Sequence, residues 1–480
     1  MSPGEKLART YCGACHAFPE PQLLDKRTWQ EGVLPQMAPR VGVNATSLGA
    51  VMSRSPYMAV LGSRVSSEDW QKIVGYFRDN APDSLPYQTL PVEPVMDPPF
   101  FGVGPLSPAL PSSGVITLLK VDSTHQRIFV GEAGSNTLRV LDWNRRLLSS
   151  LRLESAPTDL IVDGDRVLLL ESGILDPNDE PKGSLREYAF SAHDSLQLRG
   201  TLVDSLFRPV FVEQVALDGT GRKGFIICEF GNNRGRLAYY ANDGTRYVRH
   251  VLDPNPGAIR VEVHDMNGDG FPDIVALMAQ ADERIVLFEN DGKGNFGNQR
   301  ILARFPPVYG SMFFSMHDFN GDGKLDILYV NGDNFDYSRV LKPYHGVRIF
   351  ENDGGAHFRE RYFFPVYGAA RAEAVDFDGD GKLDILVTSN FADFKRHPER
   401  GIVFLKSVGV YQFRPYAFSI AATNQWNLTA IADLNRDGRP DVLVGAMDLR
   451  NIGYLQHGSG AQAVTNALLL FENRMSPGPR

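Results

Sequence analysis

Short apolar runs alternate with clusters of polar turn residues over most of the chain, from about residue 113 onward. Segments such as "HDMNGDGFPDIVAL" (264–277) and "IVLFENDGKGNF" (285–296) each combine an apolar run with a turn rich in Asp, Asn and Gly. This spacing predicts short β-strands joined by tight turns. The 31 prolines and 46 glycines agree with it, because they favour turns over long helices.

The pattern repeats every 53 to 58 residues where it is clearest, and each unit is predicted to hold four short strands. Such units cannot bury their faces alone, whereas a closed ring of them shares one core and leaves few exposed edges. The repeats therefore predict an all-β propeller, with a solenoid as the alternative geometry. We count seven blades, starting near residues 115, 158, 210, 259, 312, 370 and 427.

The first 82 residues have a helical pattern instead. Ser2 suits the N-cap of a first helix, and Ser66 with Asp69 forms a capping box for a second. The apolar residues of that second helix share one face, and they are Trp70, Ile73, Val74 and Phe77. We therefore predict a small all-α domain at the start of the chain.

A proline-rich segment separates the two patterns. Residues 79–112 carry nine prolines, a density that excludes a helix or a central strand and favours an extended, semi-rigid connector. The predicted organisation is a helical domain at 1–82, a linker at 83–112 and a propeller at 113–480.

Composition limits the class of protein. An apolar fraction of 43% and a charged fraction of 22% are typical of globular proteins, and no apolar run reaches the length of a membrane span. The net charge of −8, without a Lys/Arg cluster, argues against a nucleic-acid partner. Met1 is not followed by the apolar segment of a signal peptide, so we interpret the sequence as a mature or trimmed form.

The segment "YCGACH" carries the most specific chemistry. Cys12, Cys15 and His16 have the spacing of covalent haem c attachment, in which two thiols bind the porphyrin and the adjacent imidazole ligates the iron. A zinc site would need a second Cys/His pair, and a thioredoxin-type pair does not need the histidine. With its flanking helices, the segment 1–82 resembles a small single-haem cytochrome c domain, which implies one covalent haem c.

The resemblance also implies a methionine as the second axial ligand. Met37, between Pro35 and Pro39, is predicted to lie on an extended loop that passes over the haem face, and Met58 is the alternative. A His/Met pair suits electron transfer. Because haem c is attached outside the cytoplasm, we expect an exported protein: periplasmic, on the cell surface or extracellular.

Four of the repeats contain an acidic loop. Oxygen donors stand at positions 1, 3, 5 and 9 of the loop, a glycine stands at position 6, and position 7 offers its backbone carbonyl. Hard oxygen donors favour calcium. The predicted ligands are Asp265, Asn267, Asp269, Phe271 and Asp273; Asp318, Asn320, Asp322, Lys324 and Asp326; Asp376, Asp378, Asp380, Lys382 and Asp384; and Asp433, Asn435, Asp437, Arg439 and Asp441.

These loops resemble those of the FG-GAP (VCBS-type) family of calcium-stabilised propellers. The resemblance is clear over about 210–474 and weak over 113–209, and it implies about four structural calcium ions. A degenerate copy at 216–229 has Ala216, Thr220 and Gly224 in place of aspartates, so we predict no metal there. A plain Asp-Gly turn does not explain why position 9 is always aspartate.

Function is less determined than fold. We favour an electron-transfer protein whose propeller docks a redox partner protein, over an enzyme. The alternatives are a haem-coupled oxidoreductase with a substrate site on the propeller face, and a calcium-dependent adhesion or glycan-binding protein. For a glycan or small molecule, the polar loops after the second strands offer Glu132, Glu171, Glu229, Asp333 and Asp393. No catalytic residues are predicted.

Overall fold

The computed structural model describes residues 1–43, 65–107, 112–191, 195–333, 340–448, 464 and 466–476. No helix in these ranges is long and apolar enough to cross a membrane.

The chain begins with a small helical unit. Its helices are α1 (Pro3–Cys12), α2 (Leu34–Met37) and α3 (Ser67–Asn80), with 3-10 turns at Pro21–Leu23 and Pro39–Val41 and a π-helical turn at Thr28–Val33. Both predicted caps are confirmed, since Ser2 Oγ accepts from Glu5 N and Ser66 Oγ accepts from Asp69 N. Local sequence alone therefore begins α1 and α3.

Aromatic packing holds this unit together. Trp29 and Phe77 are 1% exposed and their ring centroids lie 4.4 Å apart, and Trp29 Nε1 donates to Pro21 O at 2.8 Å. A Cβ on Gly4 would lie 2.4 Å from Lys72 O, so only glycine permits this approach of α1 to α3. The helical unit thus has an apolar core around Trp29 and Phe77, to which Val308 of the propeller also contributes.

Seven β-sheets, counted over the described residues, follow the helical unit. Their strands are four to a sheet in chain order for the first five blades. Blade one has β3 (Ile116–Asp122), β4 (Arg127–Glu132), β5 (Thr137–Asp142) and β6 (Leu147–Arg152). Blade two has β7 (Pro157–Asp163), β8 (Arg166–Glu171), β9 (Gly183–Phe190) and β10 (Leu196–Leu206). Blade three has β11 (Pro209–Val215), β12 (Gly224–Glu229), β13 (Arg236–Asn242) and β14 (Tyr247–Asp253).

The remaining blades continue the pattern. Blade four has β15 (Ala258–His264), β16 (Asp273–Met278), β17 (Arg284–Glu289) and β18 (Asn298–Arg304). Blade five has β19 (Ser311–His317), β20 (Asp326–Asn331), β21 (Gly346–Asn352) and β22 (Phe358–Pro365). Blade six has β23 (Ala369–Val375), β24 (Asp384–Ser389), β25 (Ile402–Gly409) and β26 (Gln412–Ala417), with 3-10 turns at Pro398–Gly401 and Ser419–Thr423. Blade seven has β27 (Trp426–Ala432), β28 (Asp441–Ala446) and β29 (Leu468–Asn473).

The first strands of the blades form a closed ring. β3, β7, β11, β15, β19, β23 and β27 contact one another in that order, and β27 contacts β3. This arrangement is a seven-bladed propeller, as the sequence predicted, and each first strand begins within one residue of its predicted start. The solenoid alternative is wrong, because a solenoid has no contact between its first and last units.

The proline-rich segment contributes two strands to the propeller. β1 (Val95–Met96) pairs in parallel with β26, and β2 (Phe101–Pro105) pairs antiparallel with β29 as the outermost strand of blade seven. Blade seven is therefore completed by residues that precede blade one in the chain. Both strands lie at sheet edges, where missing proline N–H groups are tolerated.

Charged and aromatic side chains join neighbouring first strands around the central channel. Carboxylates accept from groups of the next blade, and arginines lie over phenylalanine rings. The contacts are Lys120–Asp159 at 3.0 Å, Val212 N–Asp159 at 3.1 Å, Arg260 over Phe211 and Phe313 at 5.2 and 4.7 Å, Met316 N–Glu262 at 3.2 Å, Arg371 over Phe313 at 4.8 Å, and Thr429–Glu373 at 2.6 Å. Adjacent blades are thus linked by polar contacts as well as by their apolar cores.

The closing strand should be essential to stability. Phe101 is 6% exposed, and its ring centroid lies 5.2 Å from that of Phe404 and 6.0 Å from that of Phe471. Phe101→Ala leaves a cavity between blades six and seven and should lower the free energy of unfolding by about 3–5 kcal/mol, measured by urea denaturation. The control Phe394→Ala removes a ring that is 38% exposed. Equal losses for the two variants would contradict a closing role for Phe101.

Candidate functional site

The Cys-x-x-Cys-His segment lies at the end of α1. Cys12 is the last residue of the helix and packs against the core of the helical unit, while Cys15 and His16 follow in the next turn. Both thiols are free and half-buried. Burial raises the pKa of Cys12 to about 12 and also raises that of Cys15, so both sulfurs are protonated at neutral pH. The helix end fixes the two thiols about one turn apart.

The histidine is held in the tautomer that a metal ligand needs. Nδ1 of His16 lies 2.9 Å from Ala17 O, and since a carbonyl only accepts, Nδ1 carries the proton and Nε2 keeps its lone pair. Burial lowers the pKa of His16, which favours the neutral imidazole. A metal-bound histidine normally donates its second N–H in this way.

Arg40, a half-buried arginine near the motif, has a buried donor atom without a partner. The Nε of Arg40 is buried without a hydrogen bond, and the positive charges of Arg304 and Arg40 both act to lower the pKa of His16. Haem carries two propionates, for which such an arginine is a suitable partner. Nothing in the local sequence marks Arg40, because its position depends on how the turns fold. The residues present therefore fit a haem.

Met37 is not on an extended loop, contrary to the sequence prediction. It ends α2, which lies between the π-helical turn at Thr28–Val33 and the 3-10 turn at Pro39–Val41. The prolines are tolerated because each stands in the first turn of its helix, where an N–H is not needed. Met37 packs against the same core as Cys12. Met58 and Met52 lie outside the described residues.

The helical unit rests on blades four and five. Val308, between β18 and β19, is buried in the core that contains Trp29, and the Tyr344 hydroxyl lies 3.0 Å from Leu23 O. Tyr344 also stacks on Tyr309 with ring centroids 4.9 Å apart. The motif therefore faces the ends of blades where second strands turn into third strands.

The acidic loops lie at the opposite ends of the blades. Each connects the first strand to the second strand, as in the segment between β15 and β16. At position 1 the carboxylate accepts backbone N–H bonds that close the loop, for example Gly268 N and Gly270 N on Asp265 at 2.7 and 2.8 Å. Bonds from backbone N–H groups to the carboxylate at position 1 thus close the loop.

Cationic side chains compete for some of the predicted ligands. Lys324 pairs with Asp322 at 2.6 Å and Lys382 pairs with Asp380 at 2.9 Å, each joining positions 7 and 5 of one loop. A bound cation would displace these exposed ammonium groups. Since exposed ion pairs contribute little to stability, displacing the ammonium groups costs little free energy.

Position 9 has a structural role that the sequence did not reveal. These four aspartates are 0–2% exposed, and one oxygen of each accepts a backbone N–H at or near the end of the third strand. The bonds are Asn290 N–Asp273, Asn352 N–Asp326, Ser407 N–Asp384 and Asn473 N–Asp441, at 2.8, 2.9, 2.8 and 2.8 Å. A repeated aspartate at position 9 is therefore explained without a metal, although a metal could share it.

The loop of blade six shows the strongest convergence of carboxylates. Ligand oxygens of Asp376, Asp378 and Asp380 lie within 4.8 Å of one another. Among the described residues, no other three His, Cys, Asp or Glu side chains come this close together. The buried Oδ2 of Asp384 makes no hydrogen bond, and burial raises the pKa of Asp384 to about 7. An orphaned buried oxygen beside three carboxylates fits a cation.

The degenerate loop of blade three closes without the full ligand set. Asp218 accepts from Thr220 N at 3.0 Å and from its hydroxyl at 2.6 Å, and Gly224 stands at position 9. The expectation that this loop binds no metal stays a prediction.

The acids of the opposite face are used within the fold. Glu132, Glu171 and Glu229 end their second strands at 0–1% exposure and accept N–H groups of the segments entering their blades. Asp393 is 7% exposed and accepts from the Tyr87 hydroxyl, and Asp333 N donates to Gly310 O. The carboxylates of Glu132, Glu171, Glu229 and Asp393 are engaged within the fold and are poorly placed to bind an external ligand, whereas this bond of Asp333 is donated by its backbone N–H.

Glu283 has the same kind of role, and the sequence analysis did not find it. It is 2% exposed and accepts from Ser311 N and Ser311 Oγ at 2.9 and 2.6 Å, and burial raises its pKa to about 7. The hydroxyl of Ser311 also contacts Tyr329. A glutamate beside Asp282 and Arg284 resembles a surface charge in the sequence, so no local signal marks it.

Comparisons with known proteins support the repeat assignment. Residues 265–329 match a family described as "FG-GAP-like repeat". A comparison with curated proteins finds no match. Among solved structures, a protein from Lactobacillus plantarum is similar at 9% identity and a TM-score of 0.43, over 62% of this chain and 82% of that chain. The Dos1 propeller is similar at 9% identity and a TM-score of 0.45, over 76% and 79%.

Two aspartates of the blade five loop should respond differently to calcium. Asp326→Ala removes the buried acceptor of Asn352 N and Phe319 N, so it should lower the melting temperature in EDTA and in calcium alike, at a cost of about 3 kcal/mol or more. Asp318→Ala, at position 1, should cost about 1 kcal/mol in EDTA and clearly more in calcium. Scanning calorimetry with and without calcium tests both variants. The same calcium-induced rise in melting temperature for the two variants would contradict the different roles assigned to Asp318 and Asp326.

Glu283 should make stability depend on pH. A raised pKa in the folded state means that the folded protein holds the proton more tightly than the unfolded chain. This contribution is complete below pH 4.5 and is lost as the pH rises towards about 7. Between pH 5 and 8, Glu283→Gln should gain up to about 3 kcal/mol relative to the unmodified protein, measured by urea denaturation at each pH. A difference independent of pH would contradict this prediction.

Proposed function

We propose that the protein is an exported electron-transfer protein with one haem c on Cys12, Cys15 and His16. The observation that carries the proposal is the His16 tautomer at the end of α1, where Nδ1 bonds to Ala17 O and Nε2 is left for iron. When bound, the haem would supply a one-electron Fe³⁺/Fe²⁺ couple. Met37, or Met58 as the alternative, would be the second protein ligand of the iron, and Arg40 would pair with a propionate.

The propeller is proposed as a rigid, calcium-stabilised scaffold that presents the haem to a redox partner protein. Tyr344 and Val308 fix the helical unit on blades four and five, so the haem edge would keep one orientation. A fixed orientation reduces the reorganisation needed at each encounter with a partner. The internal use of Glu132, Glu171 and Glu229 favours docking over a substrate site on that face.

Calcium is proposed at the acidic loops of blades four to seven. Their donors are carboxylate, amide and carbonyl oxygens, which calcium prefers. Four Ca²⁺ ions would nearly cancel the net charge of −8. Export agrees with both cofactors, because haem c is attached outside the cytoplasm and calcium is abundant there.

Haem binding should require Cys12, Cys15 and His16 and should not require Cys228. Protein exported through a haem c maturation pathway should show a reduced α-band and a peptide with haem bound at Cys12 and Cys15. Cys15→Ser should lose one thioether bond, and His16→Ala should lose the low-spin spectrum. Cys228→Ser, at a fully buried site in β12, is the matched control and should keep both. Colourless protein with free thiols at 12 and 15 would contradict the proposal.

A further inference from the structure

The loop of blade six has a counter-ion that replaces an acid of its neighbours. In blade five, Asn320 at position 3 donates to Glu351 at 3.0 Å, and in blade seven Asn435 bonds to Glu472. In blade six, position 3 is Asp378 and its partner is Lys406, joined in an ion pair. The hydrogen-bond donor and acceptor have thus exchanged places across the same contact, and in blade six both groups are charged.

The three partner residues are structurally equivalent. Glu351, Lys406 and Glu472 each precede the residue whose N–H caps the aspartate at position 9 of the same blade, at 2.8 to 2.9 Å. Each therefore points from the third strand toward the acidic loop beside it. The loop of blade six keeps the bonds from its first position, since Asp376 accepts from Asp380 N and Gly381 N at 3.1 and 2.9 Å as Asp318 does from Asp322 N and Gly323 N in blade five.

We propose that blade six holds a weak, exchangeable calcium site gated by Lys406, whereas the loops of blades four, five and seven bind calcium tightly. The proposal rests on calcium at these loops, as proposed above. Lys406 and the cation compete for the Asp378 carboxylate, so the metal binds only when the ammonium group leaves.

A second observation points to a ligand at this loop. In blades four, five and seven, Oδ2 of the position 9 aspartate accepts the N–H of the residue at position 2, namely Met266, Phe319 and Leu434, at 2.9, 3.2 and 3.1 Å. In blade six, Asp384 is 2% exposed and its Oδ2 makes no hydrogen bond of good geometry, although the Phe377 N–H at position 2 still acts to lower the pKa of this carboxyl. The charges of Lys406 and Asp378 both act on this carboxylate, which places it at the same site. A cation would supply the missing partner.

Lys406 has an exit route. Its side chain is 27% exposed, and it lines an open groove together with Pro99, Phe100, Arg474 and Met475. The ammonium group can therefore move into water instead of remaining beside the metal. Phe100 precedes the closing strand β2 and packs against the core between blades six and seven. Calcium at this loop would thus act beside the segment that closes the ring.

The test compares calcium affinities of single variants by calorimetric titration of the full chain. The unmodified protein should bind calcium at three tight sites and at one site weaker by about tenfold or more, because a neighbouring cation opposes the metal. Lys406→Gln should make the fourth site as tight as the others. Lys406→Met, which keeps the alkyl packing, is a second variant in case the first folds poorly.

Two controls distinguish charge exchange from a general charge effect. The double change Asn435→Asp with Glu472→Lys recreates the blade six arrangement in blade seven and should convert one tight site into a weak one. Lys395→Gln removes a remote charge and should leave all affinities unchanged. Four equal sites in the unmodified protein, or no change in Lys406→Gln, would overturn the inference while leaving a calcium scaffold intact. Absence of any calcium binding would instead overturn the proposed scaffold.

Discussion

Ring closure is the constraint on which the other features of the structure depend. Seven sheets bury one another only if the last meets the first, and blade seven lacks an outer strand until β2 pairs with β29. The residues that complete it come from before blade one, so the two ends of the propeller are joined by hydrogen bonds and by the aromatic cluster around Phe101. An open ring would expose both the apolar core and unpaired strand edges.

Closure also decides where the helical unit lies. The connector must run from the end of α3 to the rim of blade six, and Gln88 fastens it on the way by donating to Pro343 O and His345 O at 3.1 and 2.7 Å. The Cys-x-x-Cys-His segment therefore rests on the ends of blades four and five, opposite the acidic loops. The proposed haem and calcium sites therefore lie at opposite ends of the blades.

Buried carboxylates perform the same task at both ends of the blades. Asp326 and its counterparts at position 9 accept N–H groups where third strands end. Glu229 accepts an N–H where the chain enters its own blade, and Glu283 accepts one where the chain enters the next blade. A backbone donor at a strand end needs an acceptor when water is excluded. Burial raises the pKa of Glu229 and Glu283, because the charged carboxylate loses its hydration. Their hydrogen bonds to the backbone are therefore made at a cost in electrostatic free energy. Part of the acidity of the chain is thus architectural, in addition to the loops that suit a cation.

The amino-acid sequence by itself determined the features that depend on neighbouring residues: the blade starts, the caps at Ser2 and Ser66, the spacing of Cys12, Cys15 and His16, and the repeated acidic loops. Only the tertiary structure decided which proline-rich residues close the ring, that Met37 ends a helix, that Arg40 lies near His16, and that Lys406 faces Asp378. These features join residues far apart in the chain, as Phe101 and Phe471 do. Their side chains meet only after the blades have packed, and no local pattern records that packing.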